Sequence, residues 1–167
     1  MPVKLRAIKP KPFKVDAIRL ETLNGLRKVG RGMRRDFKRT VQTWDNKPKF
    51  DMKIGLTKDT GNVRVFTASE IYAYVDLGTK PHIIRPVRAK ALAFSVGGSP
   101  KTRPNVIGSY SGSAGNTPVR AKEVKHPGIK PRNFSRIIKK EWEPEFARVM
   151  QTAIDTGAKK SGHYYRK

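Results

Sequence analysis

Apolar side chains recur at helical spacing through residues 16–43. The steps are three to five residues long, at Ile18, Leu23, Leu26, Val29, Met33, Phe37 and Val41. This spacing predicts one long amphipathic helix, for which Asp16 is a suitable N-cap and Pro48 indicates a stop. Three glycines in the segment each cost about 1 kcal/mol relative to alanine. We therefore expect this helix to depend on tertiary or intersubunit packing, or to bend near Gly30.

The next segment, residues 49–68, changes to a period of two. Apolar and polar side chains alternate on both sides of a turn at residues 59–61, which predicts a β-hairpin. A helical segment of one or two turns is predicted over residues 71–77. Gly78 is expected to end it.

Two further strands, predicted over residues 91–96 and 118–125, are separated by a long connection. Residues 97–118 number 22, and 12 of them are Gly, Ser or Pro. A connection of this length without regular structure is functional or disordered, and we expect a flexible inter-strand loop.

A C-terminal helix completes the predicted elements. Asn133 is a candidate cap for a helix that begins at Phe134. Pro144 is expected to break or kink that helix, or to start a second one. Gly157 is expected to end the helical region.

The order of these elements predicts a single α+β domain over residues 15–157. Its sheet is expected to be small and mostly antiparallel, with about four strands. Residues 1–14 form a predicted basic flexible arm, and residues 158–167 a predicted basic tail. The sequence has neither a long apolar run nor an apolar core near its start, so we expect neither a membrane span nor a secretory precursor.

The charge of the chain is strongly basic. The 167 residues include 37 Lys and Arg against 13 Asp and Glu, for a net charge of +24. Residues 1–49 carry 15 basic and 4 acidic side chains, whereas residues 50–96 carry 7 and 4. The excess of positive charge is therefore concentrated in the first third of the chain, and in the middle the basic and acidic side chains are nearly equal in number.

The predicted N-terminal helix carries much of this charge on its polar face. Seven basic side chains share that face: Arg27, Lys28, Arg31, Arg34, Arg35, Lys38 and Arg39. Like charges at this spacing repel one another, and an anionic neighbour would relieve the repulsion. We predict nonspecific contact with nucleic acid phosphates or with an acidic protein. Sequence-specific readout is not predicted, because helix-turn-helix, zinc-finger and aromatic RNA-binding signatures are missing.

Patterns for catalysis and for metal binding are also missing. The chain has no cysteine and three histidines, which do not form an H-E-x-x-H pair. His82 and His126 each adjoin a proline and are expected to hold the backbone through the ring. No nucleophile elbow or phosphate loop occurs, and the acids that flank Pro144 are interpreted as helix-end residues. We expect a protein that is not an enzyme and uses no metal or cofactor.

Two motifs carry a family resemblance. Residues 72–86 read YAYVDLGTKPHIIRP and are followed by KALAF at 90–94, and residues 126–134 read HPGIKPRNF before the C-terminal helix. The motifs and their order resemble the tail-completion or neck family of long-tailed double-stranded DNA bacteriophages, also described as minor tail components. The motif residues expected to have a structural role are Gly78, Pro81, His82, Pro127 and Gly128.

The resemblance implies a small, non-enzymatic α+β protein that forms a ring at the junction between capsid and tail. A ring of six copies is expected, with twelve as the alternative. The implied partners are copies of the chain, neighbouring neck, head-completion or tail-terminator proteins, and packaged double-stranded DNA bound nonspecifically, with no membrane. The implied location is the virion neck or tail, after assembly in the host cytoplasm. The arm, the loop and the tail would become ordered when neighbouring subunits bind.

Two other functions are compatible with parts of the sequence. The charge alone indicates a free-standing basic protein that binds nucleic acid nonspecifically, and salt-sensitive DNA binding by a stable monomer would favour it. A nuclease or other DNA-processing enzyme would require metal-dependent cleavage.

Overall fold

The structure, a computed structural model, describes residues 12–58, 60–108 and 110–163. Most of the predicted N-terminal arm, residue 59 of the predicted turn and the last four residues of the predicted tail lie outside the described residues. The helices and strands are, in order, α1 (Val15–Thr40), β1 (Asp51–Leu56), β2 (Gly61–Phe66), α2 (Glu70–Leu77), β3 (His82–Ile84), β4 (Leu92–Val96), β5 (Thr117–Ala121), β6 (Val124–His126) and α3 (Phe134–Lys160).

The α+β class is confirmed, with a helix near each end of the described chain and small antiparallel sheets. The expected arrangement of strands is wrong in detail. The described part of the chain has six strands, paired as three separate two-stranded sheets, β1–β2, β3–β6 and β4–β5. The strands β3 and β6 have three residues each, too few for a period-two pattern to be recognised.

The long helix α1 has one buried face, as its apolar spacing predicts. Leu26 and Val29 are fully buried, and the helix continues through Gly30. The expected dependence on tertiary packing is confirmed by its contact with α3. A side chain at Gly32 would overlap the indole ring of Trp142, so glycine allows the two helices to approach closely.

The helix α3 is continuous, which corrects the expectation that it ends at Gly157. Pro144 lies inside the helix, so it neither breaks α3 nor starts a second helix. A Cβ atom built at Gly157 would lie 2.6 Å from the Cα atom of Ile18, so glycine is required there by the crossing of α1 and α3. The helix ends at Lys160, three residues beyond the predicted limit.

An aromatic core joins α1, α2, α3 and the segment before β1. Its buried members are Phe37, Val41, Phe50, Tyr72, Phe134 and Ile138. The ring of Tyr72 meets that of Phe50 edge-on, with centroids 5.0 Å apart. Its hydroxyl lies 3.2 Å from Oγ1 of Thr40. Burial raises the pKa of Tyr72 well above its ordinary value, so the phenol stays protonated at physiological pH.

The connection between β4 and β5 contains no helix or strand among its described residues, as expected, and it makes specific contacts with the rest of the fold. Within it, the backbone N–H of Ser99 donates to the carbonyl of Ser113 at 2.9 Å. The ammonium of Lys101 lies 3.0 Å from the carboxylate of Asp45. Thr102 is buried, and Ile107 packs against the aromatic core. The described residues of this Gly-, Ser- and Pro-rich segment are therefore held in place by hydrogen bonds, an ion pair and side-chain packing.

The N-terminus of α3 is capped by a residue of α2. Asn133 occupies the cap position with a φ of 57°, and its side chain makes no capping bond. The buried carboxylate of Asp76 instead accepts a hydrogen bond from the backbone N–H of Ser135 at 3.1 Å. A carboxylate at this position satisfies a free N–H group and interacts favourably with the helix dipole.

We expect the substitution D76N to destabilise the protein by about 1 to 2 kcal/mol, because it removes the charge at the α3 N-terminus and weakens a buried hydrogen bond. Urea unfolding followed by circular dichroism measures the change. The matched control is E141Q on the exposed surface of α3, for which we expect a change within about 0.5 kcal/mol. Equal stability of D76N and E141Q would contradict the proposed cap.

Candidate nucleic-acid interface

The exposed face of α1 carries a row of basic side chains. Arg27, Arg31, Arg35 and Lys38 are all exposed. At 3.6 residues per turn they fall within an arc of about 80° and extend along about 17 Å of the helix. We call these four residues the basic face. They point away from the side of α1 that packs against α3 and the β1–β2 sheet, because the buried positions of α1 occupy the opposite arc.

The other three basic residues predicted for this surface have different surroundings. Arg34 follows Gly30 by one turn, on the side of α1 that meets β1 and β2, and is half-buried. Arg39 is exposed and lies 3.4 Å from the carboxylate of Asp36. Lys28 is exposed and faces α3. The pKa of Glu145 on α3 is lowered, mainly by a hydrogen bond from Arg148, and the charge of Lys28 adds to this effect.

The basic face has no acidic partner within the described chain. The ion pairs of the described residues are Arg39–Asp36, Arg85–Glu123, Lys101–Asp45, Arg148–Glu145 and Lys160–Glu21. None of them includes a residue of the basic face. Its positive charges are therefore neutralised by solvent ions or by an external anion, which is the electrostatic property of a surface that binds phosphates.

The two sequence motifs lie side by side in the structure. Thr79 and Ile129 form an antiparallel bridge, in which each backbone N–H donates to the carbonyl of the other residue. The nitrogen-to-oxygen distances are 3.0 and 3.1 Å. Gly78 and Gly128 flank this bridge with φ values of 77° and 86°, which L side chains rarely adopt. A Cβ at Gly78 would also lie 2.6 Å from the carbonyl oxygen of Ile129. Both glycines are thus explained by the close pairing of the two segments.

The histidines of these motifs face each other across β3 and β6. His82 and His126 are register partners, with ring centroids 5.0 Å apart. Nδ1 of His82 lies 2.9 Å from the carbonyl oxygen of Lys80, and Nδ1 of His126 accepts from the backbone N–H of Gly128 at 3.1 Å. Pro81 and Pro127 are exposed and adjoin these strands. All five motif residues therefore lie in or beside one small paired region.

Sequence reasoning missed two residues that prove important in this region, Asp76 and Arg132. An acid in the last turn of a helix opposes the helix dipole, so the position of Asp76 was a signal that it has a tertiary partner. Arg132 lies within the second motif, but its position there does not distinguish a buried arginine from the exposed Lys130 two residues before it. Its burial is a property of the folded chain alone.

Comparisons with known proteins were made against family models, curated proteins and solved structures. None of the three finds a match to this chain. The proposed function therefore depends on the surface chemistry described above and on the resemblance of the two motifs.

Metal sites and membrane spans can be assessed for the described residues, 12–58, 60–108 and 110–163. No group of three or more His, Cys, Asp or Glu in these ranges is arranged to hold a metal ion. None of their helices combines the length and the apolar character needed to cross a membrane.

We expect the variant R27Q/R31Q/R35Q/K38Q to be more stable than the unmodified protein by about 0.5 to 1 kcal/mol at low salt. It removes like-charge pairs three and four residues apart, and glutamine has a helix propensity close to those of Arg and Lys. Urea unfolding at about 20 mM and about 500 mM salt measures the effect, which screening should reduce at the higher concentration.

The matched control for this prediction is R88Q/K90Q/K122Q/K125Q, which removes the same charge from exposed positions outside α1. We expect a smaller gain in stability from this control. A loss of stability in the basic-face variant would show that these side chains make stabilising contacts inside the folded subunit.

Proposed function

We propose that the protein is a structural component of the neck of a long-tailed double-stranded DNA bacteriophage. It assembles as a ring of copies at the junction between capsid and tail, around the path of the packaged DNA. It acts by holding its position and by contacting DNA nonspecifically, without turnover. The resemblance of the two motifs supports the proposed family, and the basic face of α1 supports the proposed mode of contact.

The observation that carries this proposal is the unpaired basic face. Duplex DNA presents one negative charge for about every 1.7 Å of its axis, so a row of four cations can contact several phosphates at once. Such contacts to the backbone hold a duplex without reading its bases. The side chains are exposed and share one arc of a single helix, so the row is accessible to a duplex that runs alongside it.

The β4–β5 sheet supports the assembly of several copies. It makes no extensive contact with another helix or strand of the described chain. Phe94 and Val96 lie on one side of it and are 37% and 40% exposed. An isolated two-stranded ribbon is marginally stable in water, so a neighbouring subunit that covers this apolar face would stabilise it.

The DNA contact predicts a specific salt dependence. For binding to a duplex, log Kobs falls linearly with log salt concentration. We expect the magnitude of this slope to decrease by about 3 to 4 in R27Q/R31Q/R35Q/K38Q, because four phosphate contacts are lost. Fluorescence anisotropy with a labelled duplex measures this slope. We expect R88Q/K90Q/K122Q/K125Q to change it by less than about 1. Equal slopes in the two variants would exclude the basic face as the DNA contact.

The ring predicts a defined mass in solution and a defined position in the particle. Native mass spectrometry should find six or twelve copies per assembly, and F94S should shift the population toward monomer. The matched control is F66S, which changes an exposed phenylalanine on β2 instead. A stable monomer that binds DNA would favour the free-standing nucleic-acid-binding alternative. A reconstruction of the virion that placed the chain away from the head–tail junction would contradict the proposal.

A further inference from the structure

A second cationic site surrounds Arg132, and none of the residues that line it belongs to α1. Arg132 is only 9% exposed. Its backbone N–H donates to the carbonyl of Val75, and its carbonyl accepts from the N–H of Asn105, both at 3.0 Å. The backbone of Arg132 is therefore fixed on both sides by the fold.

The guanidinium of Arg132 lacks a counter-charge. Its Nε donates to Oγ1 of Thr102 at 3.3 Å, and a terminal nitrogen donates to the carbonyl of Lys130 at 3.5 Å. Both acceptors are uncharged, and Arg132 takes part in none of the ion pairs found within the described ranges. An arginine with so little exposed surface is usually paired with an acid. A guanidinium has five N–H donors, so further donors of Arg132 remain for a ligand.

A cavity of about 550 Å³ lies beside this side chain. Arg103, Lys130 and His126 also line it, and the lining residues include no Asp or Glu. The guanidinium of Arg103 stacks on the ring of Tyr110, 3.9 Å from its centroid. Because Nδ1 of His126 accepts a hydrogen bond, the neutral ring carries its proton on Nε2 and can donate it.

We infer that this cavity binds a phosphate group. Three cationic side chains around one cavity suit a dianion better than a singly charged carboxylate, and an arginine fork matches two phosphate oxygens. The cavity is much larger than inorganic phosphate. The walls formed by Pro100, Pro104 and Ile129, with the ring of Tyr110, suit an organic group attached to that phosphate. A nucleotide and the backbone of a nucleic acid share this chemistry.

This inference does not rest on the proposed function, because the cavity and the basic face share no residue. The probes are inorganic phosphate, thymidine 5′-monophosphate and a short DNA duplex, each titrated by calorimetry into the full-length protein. We expect R132Q to weaken binding of the mononucleotide at least about tenfold and R103Q to weaken it about threefold. The exposed arginine variant R88Q is the matched control and should bind as the unmodified protein does.

Because Arg132 is buried, thermal unfolding checks whether R132Q is folded, and the exposed Arg103 supplies the second variant. The same experiment gives an independent readout: the mononucleotide at ten times its Kd should raise Tm by about 4 °C in the unmodified protein. This rise should be lost in R132Q and retained in R27Q/R31Q/R35Q/K38Q.

The outcomes separate the sources of the phosphate. Binding of the mononucleotide that R132Q abolishes identifies a free nucleotide as the ligand. Binding of the duplex alone, weakened in R132Q, identifies a backbone phosphate, and either result supports the cavity as a phosphate site. Equal affinity of R132Q, R103Q and R88Q for every probe would overturn the inference. Citrate, titrated in the same way as a carboxylate comparison, would overturn it too if it bound more tightly than all three probes.

Discussion

The carboxylate of Asp76 lies at the start of α3, and much of the fold follows from this position. Its side chain accepts from Ser135, while its backbone carbonyl accepts from the N–H of Asn133 at 2.9 Å. The end of α2 and the beginning of α3 are thereby fixed to each other. The same junction places Tyr72 beside Phe134 in the core, with ring centroids 6.1 Å apart, and it fixes the backbone of Arg132. The stability of the fold and the positions of the two motifs thus depend on the same set of hydrogen bonds between α2 and α3.

The small number of acids determines which surfaces stay cationic. Asp76 caps α3, Asp36 accepts from the indole N–H of Trp142 at 2.8 Å, and Glu145 forms a bidentate pair with Arg148. These carboxylates satisfy groups within the fold. The charge of the basic face is left without partners, and like charges at this spacing repel one another. A surface of this kind is what the proposed contact with phosphates requires.

The sequence predicted the elements whose signals are local. Apolar spacing located α1 and the β1–β2 hairpin, and Gly78 marked the end of α2, because each of these signals lies within the element or next to it. Prediction from the sequence failed where a contact between residues distant in the chain determines the structure. Gly157 resembles a helix stop, yet it is a crossing point with Ile18, and β3 pairs with β6 across some forty residues of chain. The basic face was predictable from helical spacing, whereas the cavity beside Arg132 was not, since its lining comes from separate segments.

The two cationic sites differ in hydration, and this difference fits them for different contacts. The side chains of the basic face are exposed, so ions screen them strongly and the proposed contacts with phosphates would exchange readily. Arg132 is buried and fixed, so a phosphate that reached it would be held by directed hydrogen bonds with weaker screening. In the proposed ring, a conduit must retain a duplex and still let it move along the axis. Exposed, hydrated cations satisfy both requirements, whereas a row of buried sites would stop the movement.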